Sequence, residues 1–516
     1  MDKCLTEPAQ VRTAVRTVPA FRFPHSAWVW ATLAAMLVSL VLVCAKIAIT
    51  PPDVDEASLA VPAWNLAQHG FPGTTTFVEK DTPWKGINRR TYNTLPGGIL
   101  YLASWFAYLP ATTLATRIAM SLWAPVLLAA YFVLIRRLTG NVRFAVLSMV
   151  LFCLEYTFVL AAARARVDLM AASLGITGLA SYCEFRLRSL SAAVFVSSML
   201  VVFSSLTHPE GVIYAICLLT LAVCLDRRSL SPAHVAIAAI PLLTCGTLWL
   251  WYVAQDPAGA VSQLRVNSLG WGRFPKSYNP IEAIHREIFK RYLKTEPISI
   301  GHTWIPKLVL LLIPLGCGAG ILMTRFLRRQ SGIRLILLLT AEVLILQTVF
   351  ENSKSHEYLI HTDIFYCALM GTFGVYAWRA GRWRRLAVAL ALATFILMNL
   401  GVVAWRLRRD IRNPGFRSAL AFLQKRVSPR DLVIANTQFW FGCPGHNLVD
   451  DTDAGLRSGL LPDYFVDQGQ SAPTWSRYLQ KAPARFLAVQ ARLTRYEVIY
   501  DYRGFRIYHL RSRTGT

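Results

Sequence analysis

Acidic side chains are scarce in this chain: 29 Asp and Glu stand against 54 Lys and Arg, a formal net charge of +25 over 516 residues. Such an excess raises nucleic acid as a partner, but the arginines fall in short clusters between apolar runs, with no basic helix or aromatic-basic platform. Clusters so placed orient membrane spans, and no nucleic-acid partner is expected. Paired cysteines are missing too. Of the ten cysteines, eight lie in apolar runs, Cys4 is in the N-terminal arm and Cys443 stands alone, so neither a disulfide framework nor a cysteine zinc site follows. There is no internal repeat and no low-complexity tract, which argues against solenoids and repeat-built transporters. The zinc signature HExxH is also absent, because HEYLIH spaces His356 and His361 too widely for it.

What the chain has in excess is apolar sequence. At 54% hydrophobic residues it carries more than one soluble core can bury, which marks a polytopic membrane protein. A span needs roughly 20 mostly apolar residues, and that length gives about eleven transmembrane helices between residues 28 and 405. The arm 1–27, with Lys3, Arg12, Arg16 and Arg22, is expected on the cytoplasmic side. The apolar run behind it is longer than a signal-peptide core, so it reads as a retained helix.

Two long loops, 50–95 and 255–303, then fall outside, and the proline-bounded stretch 95–110 reads as an interfacial or re-entrant helix. Residues 406–516 have the composition of a small extracytoplasmic α/β domain. RSALAFLQKRV has helical spacing, DLVIAN and RFLAVQ read as strands, and YEVIYDYRGFRIYHL reads as two strands turning at Arg503-Gly504. RLRRDIR, 406–412, is the one basic cluster this topology places outside.

In that topology the unusual polar groups gather on the outer side. Asp53, Asp55 and Glu56 follow the first span; Arg164, Arg166 and Asp168 lie between the third and fourth; His208 and Glu210 between the fifth and sixth. Lys354, His356, Glu357, Tyr358 and His361 lie between the ninth and tenth. Ionisable groups near membrane depth face a cavity or one another, so these imply a shared polar chamber. Each also has a plainer reading. Asp53 and Glu56 have capping-box spacing, Arg164 and Arg166 can snorkel to headgroups, Asp168 can cap a helix, and His208-Pro209-Glu210 can be a turn. Glu155 and Glu342, inside spans, read as helix–helix hydrogen-bond partners. The basic, aromatic second loop, with Arg265, Arg273, Lys276, Arg286, Lys290, Arg291 and Lys294 among Trp271, Phe274, Tyr278 and Tyr292, suits an anionic headgroup or simply the membrane surface.

The order of these motifs resembles the GT-C membrane glycosyltransferases, most nearly the protein O-mannosyltransferase and lipid A aminoarabinose transferase branch. An acidic pair after the first span, a proline-bounded interfacial helix, RARVD opening the fourth span and a His-rich turn before a late span carry the likeness, over about 28–405. The resemblance implies catalytic roles for Asp55 and Glu56. It implies substrate-binding roles for Arg164, Arg166, Asp168, His208, Glu210, Lys354, His356, Tyr358 and His361. The family's acidic or histidine residue before the interfacial proline is replaced here by Asn93 and Thr94, with Glu79 and Asp81 the nearest carboxylates.

The chemistry so implied is sugar transfer from a polyprenyl-phosphate donor to a lipid, glycan or protein acceptor at the outer face. Asp55 acts as base, arginine, lysine or a divalent metal stabilises the leaving phosphate, and no cofactor or metal ligand is assigned. The competing reading is a transporter or flippase of a lipid-linked or anionic solute, which needs a polar chamber as well.

Overall fold

The computed structural model describes residues 25–270, 279–294, 305–352, 354–443, 447–468 and 483–511. Residues 1–24 of the N-terminal arm and the loop residues Arg273, Lys276, Trp271, Phe274 and Tyr278 lie outside them. The apolar runs fold as helices. α1 (His25–Ile49) stops at Pro51-Pro52, and α2 (Val54–His69) starts immediately, capped by Asp53 and ended by Gly70 at φ 76°. α3 (Pro96–Phe106) is the short helix expected over 95–110. α4 (Thr113–Ser121) and α5 (Trp123–Thr139) make one 27-residue span that ends beyond Arg136 and Arg137.

α6 (Val142–Cys153) and α7 (Tyr156–Ala163) divide one apolar run with a 62° bend. Glu155 is the cause: it is no mid-span partner but the N-cap of α7, its carboxylate accepting from the N–H groups of Thr157 and Phe158. Next come α8 (Val167–Phe185), α9 (Leu190–Thr207), α10 (Gly211–Asp226) and α11 (Pro232–Ala254), then the second loop with α12 (Pro257–Arg265) and α13 (Pro280–Arg286). α14 (Ile305–Met323), α15 (Arg325–Arg329), α16 (Ser331–Phe350), α17 (Ile360–Ala377) and α18 (Arg382–Arg412) complete the helical unit.

Among the described residues six helical segments are long and apolar enough to cross a bilayer, and the bent α6–α7 pair would make a seventh. By length and apolarity these fall short of the expected count of about eleven, with α10 and residues 308–323 as shorter apolar helices. The difference lies in helices that are short, such as α10, or interrupted by buried polar groups, such as α8 with Asp168 and α17 with His361 and Asp363. The chain is nonetheless a multi-pass, predominantly helical membrane protein. RLRRDIR continues α18 rather than opening a new domain, and its Asp410 takes hydrogen bonds from Lys46 Nζ (2.7 Å) and Thr50 Oγ1 (2.9 Å), tying the last span to the first.

The C-terminal part is α/β. α19 (Gly415–Arg426) precedes β1 (Val433–Ala435), β2 (Leu448–Asp450) and β3 (Tyr464–Asp467). α20 (Pro483–Leu493) leads into β4 (Tyr496–Tyr502) and β5 (Phe505–Leu510). The sheet order is β2-β1-β3-β5-β4, parallel around β1 and antiparallel from β3 to β4. The hairpin turn has positive φ at both Arg503 (47°) and Gly504 (82°), which matches the right-handed strand twist. RFLAVQ, expected as a strand, belongs to α20. Phe486, Val489 and Leu493 repeat at helical spacing and pack on Ile434 and Phe465, while Leu487 faces out.

This domain sits on α2. Trp440 is buried edge-on against Trp64 at 6.0 Å, and Phe439 and Trp440 share one core with Ala57, Leu59 and Ala60. The backbone N–H of Asp450 donates to Thr76 O (2.7 Å), and those of Arg457 and Ser458 donate to Asp81 Oδ1 (3.0 Å each).

Candidate active site

The site is built from the α1–α2 corner. Glu56 is wholly buried, and its carboxylate accepts from Asp53 N–H (2.7 Å), Ala165 N–H (2.7 Å), Arg117 Nε (2.8 Å) and Arg117 Nη2 (2.7 Å). Arg117 spends its other donors on the carbonyls of Ile47, Thr50 and Pro51. Buried charges persist when they are paired and every donor is satisfied, so this is a brace between α1, α2, α4 and the start of α8. Glu56 does not reach the neighbouring cleft. Successive helix positions are about 100° apart, so the same brace turns Asp55 outward.

RARVD faces this corner in an extended conformation, with ψ 151° at Arg164 and 144° at Arg166, so the two arginines share a side while Ala165 turns its N–H to Glu56. Arg164 Nη1 meets Asp53 (3.2 Å) and Glu357 (3.0 Å). Arg166 meets Asp55 (2.5 Å), Glu357 (2.9 Å) and, through Nε, Asp168 Oδ2 (2.9 Å). Four carboxylates thus surround two guanidinium groups, and Asp168 leads on to His208 Nε2 at 3.6 Å. Burial alone would raise the pKa of Asp53, but Arg164 and Arg166 outweigh it and hold the carboxyl below the usual carboxylate range.

Beside this ladder lies a cleft of about 260 Å³. Asp55, Arg166, Asp168, His208 and Tyr358 line it, with Phe77, Trp84, Asn93 and Thr94 of the first loop and Thr207 at the end of α9. The consecutive glycines of LPGG let α3 abut this wall: a Cβ on Gly97 would stand 2.4 Å from Thr207 Oγ1, and one on Gly98 2.4 Å from Val167 Cγ1. Gln263 of α12 fixes the first loop. Its side chain accepts from Tyr92 N–H (2.7 Å) and donates to the carbonyls of Lys85 (3.0 Å) and Arg90 (2.9 Å), while Asn267 donates to Asn93 O (3.0 Å).

Behind the cleft, His361 stacks on His208 with ring centres 6.3 Å apart, and its Nδ1 shares a hydrogen bond with Tyr214 OH (2.8 Å). Tyr358 packs beside His208 at 5.2 Å. Asp168, His208 and His361 form a buried cluster of metal-ligand composition.

The remaining sequence candidates lie off the cleft. Arg164 and His356 border a smaller neighbouring cavity with Glu357, and His356 Nε2 meets Arg406 at 3.3 Å. Lys354 is buried at φ 54°, its ammonium held by Glu287 (3.0 Å) and the carbonyls of Gln347 and Thr348. Glu210 takes a bond from Gln347 (3.2 Å), and burial, ahead of repulsion by Glu351, raises its carboxyl pKa to about 7 despite Arg291. Arg291 is buried between Glu287 (3.1 Å) and Glu351 (2.5 Å), so it braces the second loop. Arg117 and the bridging role of Glu357 have no local signature in the sequence. Asp81, the nearest substitute for a second catalytic carboxylate, is occupied by the C-terminal domain.

An apolar groove of about 500 Å³ runs between α9, α10 and α11, from Leu206 and Val212 at one end to Leu230 and His234 at the other. Leu206 of the groove is followed in sequence by Thr207 and His208, which line the cleft.

Comparison with solved structures places this architecture. ArnT from Cupriavidus metallidurans, a lipid A aminoarabinose transferase crystallised with undecaprenyl phosphate, superimposes with a TM-score of 0.61 at 13% identity, over 95% of this chain and 99% of that one. This chain has the GT-C fold. A second GT-C structure, the oligosaccharyltransferase AglB from Archaeoglobus fulgidus in complex with an inhibitory peptide and a dolichol-phosphate, matches with a TM-score of 0.53 at 12% identity, over 95% of this chain and 75% of that one. Identities this low speak for the fold alone. No family model matches the sequence. No curated protein matches it either. The likeness expected from the motif order thus holds for the GT-C core and extends over the C-terminal domain, since the ArnT match covers nearly all of both chains.

Proposed function

We propose that this GT-C protein transfers a sugar from a polyprenyl-phosphate donor to an acceptor hydroxyl or amine at the outer membrane face, with Asp55 as general base. The reading is carried by two cavities of opposite character: a charged cleft lined by Asp55, Arg166 and His208, and an apolar groove on α9, α10 and α11. A donor with a charged head and a long hydrocarbon tail matches both. The undecaprenyl phosphate bound by ArnT and the dolichol-phosphate bound by AglB support the same donor class.

In this scheme the acceptor heteroatom bonds to the sugar carbon while its proton passes to Asp55. The carbon–oxygen bond to phosphate breaks, its electron pair stays on that oxygen, and polyprenyl phosphate leaves. Asp55 suits the base because its side chain is 61% exposed at the cleft while Arg166, 2.5 Å away, fixes its direction. Arg166 and His208, on the cleft wall, are placed to meet the phosphate. Glu56 acts as a positioning residue through its brace. The first loop and the C-terminal domain lie outside, and the N-terminus lies in the cytoplasm.

The test is release of free polyprenyl phosphate by the purified protein, followed by mass spectrometry. A positioned base contributes about 10² to 10⁴ in rate, so Asp55→Asn is expected to lower turnover by that factor while donor binding is kept. Near-normal turnover would remove Asp55 from the mechanism. No release from any donor by folded protein in lipid would favour a transporter.

A further inference from the structure

We infer that Asp168, His208 and His361 bind a divalent transition metal of the zinc or cobalt type. Their ligand atoms lie within 4.8 Å of one another, and all three residues are buried. Two atoms point to a ligand. Asp168 Oδ1 and His361 Nε2 are both buried without a hydrogen-bond partner among the described residues. Burying one such atom is costly, and two that converge in one small volume are explained by a cation that both can bond. Asp168 uses its other oxygen, Oδ2, for Arg166, so Oδ1 is the one left over.

The donor set is two imidazoles and one carboxylate, which suits zinc, cobalt or ferrous iron better than magnesium or calcium. His361 is already oriented for ligation: with the ring proton on Nδ1 donated to Tyr214 OH, Nε2 presents its lone pair to the cluster. His208 brings Nε2 to 3.6 Å from Asp168 Oδ1. Ligation through Nε2 moves its proton to Nδ1 and gives up the 3.2 Å bond that Nδ1 accepts from Glu210 N–H, and the metal–nitrogen bond replaces it. Metal–nitrogen bonds of about 2.05 Å set tetrahedral ligands roughly 3.4 Å apart, so loading draws together ligand atoms that now lie within 4.8 Å of one another.

Three protein ligands leave at least one coordination position for water or an anionic oxygen. Because Asp168 and His208 line the cleft, the bound metal would border the place assigned above to the donor phosphate. That last placement rests on the proposed reaction; metal binding itself does not.

The experiment uses the full-length protein in detergent, stripped with chelator and titrated with Co²⁺ and Zn²⁺ without donor or acceptor. Visible ligand-field bands of Co²⁺ and a stoichiometry of one metal per chain are the expected result. His361→Gln should weaken binding at least tenfold. Should that buried change impair folding, Tyr214→Phe keeps the packing but removes the orienting partner, and is expected to weaken binding about 10- to 100-fold. No bound metal in folded wild type would overturn the site. Equal affinity in wild type, His361→Gln and Tyr214→Phe would assign the metal elsewhere. Neither result bears on polyprenyl-phosphate release, which is measured separately.

Discussion

Two neighbouring carboxylates in one turn of α2 have opposite fates. Asp55 and Glu56 are adjacent in a scarce acidic population, and their pairing with Asp53 as a capping box is readable from spacing alone. What spacing cannot supply is Arg117, which sits in the apolar run TLATRIAMS and carries no local pattern that points to Glu56. Without that partner the two acids look equivalent. Glu210 gives a prediction at this scale. Its folded pKa of about 7 lies above the ordinary 4.5, so its stability contribution is fully present below about 4.5 and is lost as pH rises through 7. Glu210→Gln keeps an acceptor for Gln347 and removes the buried charge. Its melting temperature is therefore expected to fall less between pH 5 and pH 8 than that of wild type, and parallel pH profiles in thermal melts would show that Glu210 is solvated.

Most helices were legible because length, apolarity and arginine clusters are local properties. The exceptions have local causes that mimic continuity. The run VLFCLEYTFVL reads as one span because one glutamate interrupts it, and only the cap geometry of Glu155 shows that α6 and α7 are separate rods. PARFLAVQARL mixes apolar residues densely enough to imitate a strand until its buried positions are seen three and four apart. LPGG was legible as a helix start, but the reason for two glycines is a contact with α8 and α9 that the sequence does not display. Gly98→Ala places a methyl group against Val167, next to Arg166 and Asp168. Overpacking of this kind costs about 1–3 kcal/mol. Both a lower melting temperature and slower transfer are expected, and an unchanged melt with unchanged turnover would mean that α3 is loosely seated.

The whole molecule is less modular than its composition. A soluble appendage on a membrane protein suggests that removing residues 413–516 would leave the rest intact, yet Trp440 and Phe439 complete the core around α2, the helix that carries Asp55. Trp440→Ala is expected to cost about 3–5 kcal/mol, as for other large buried aromatics. Limited proteolysis should then cut within residues 70–95 faster than in wild type, because the first loop loses the surface that holds Thr76 and Asp81. Unchanged cleavage would make the two parts independent.

The contact between Trp64 and Trp440 also has a history within each round of synthesis. α2 leaves the ribosome early, but the residues that cover its outer face follow roughly 380 positions later, about 20–75 s at 5–20 residues per second. For that interval a newly made chain holds Asp55 on a helix whose outer face is uncovered. The core around the helix that carries Asp55 is therefore complete only once the last fifth of the protein has been made.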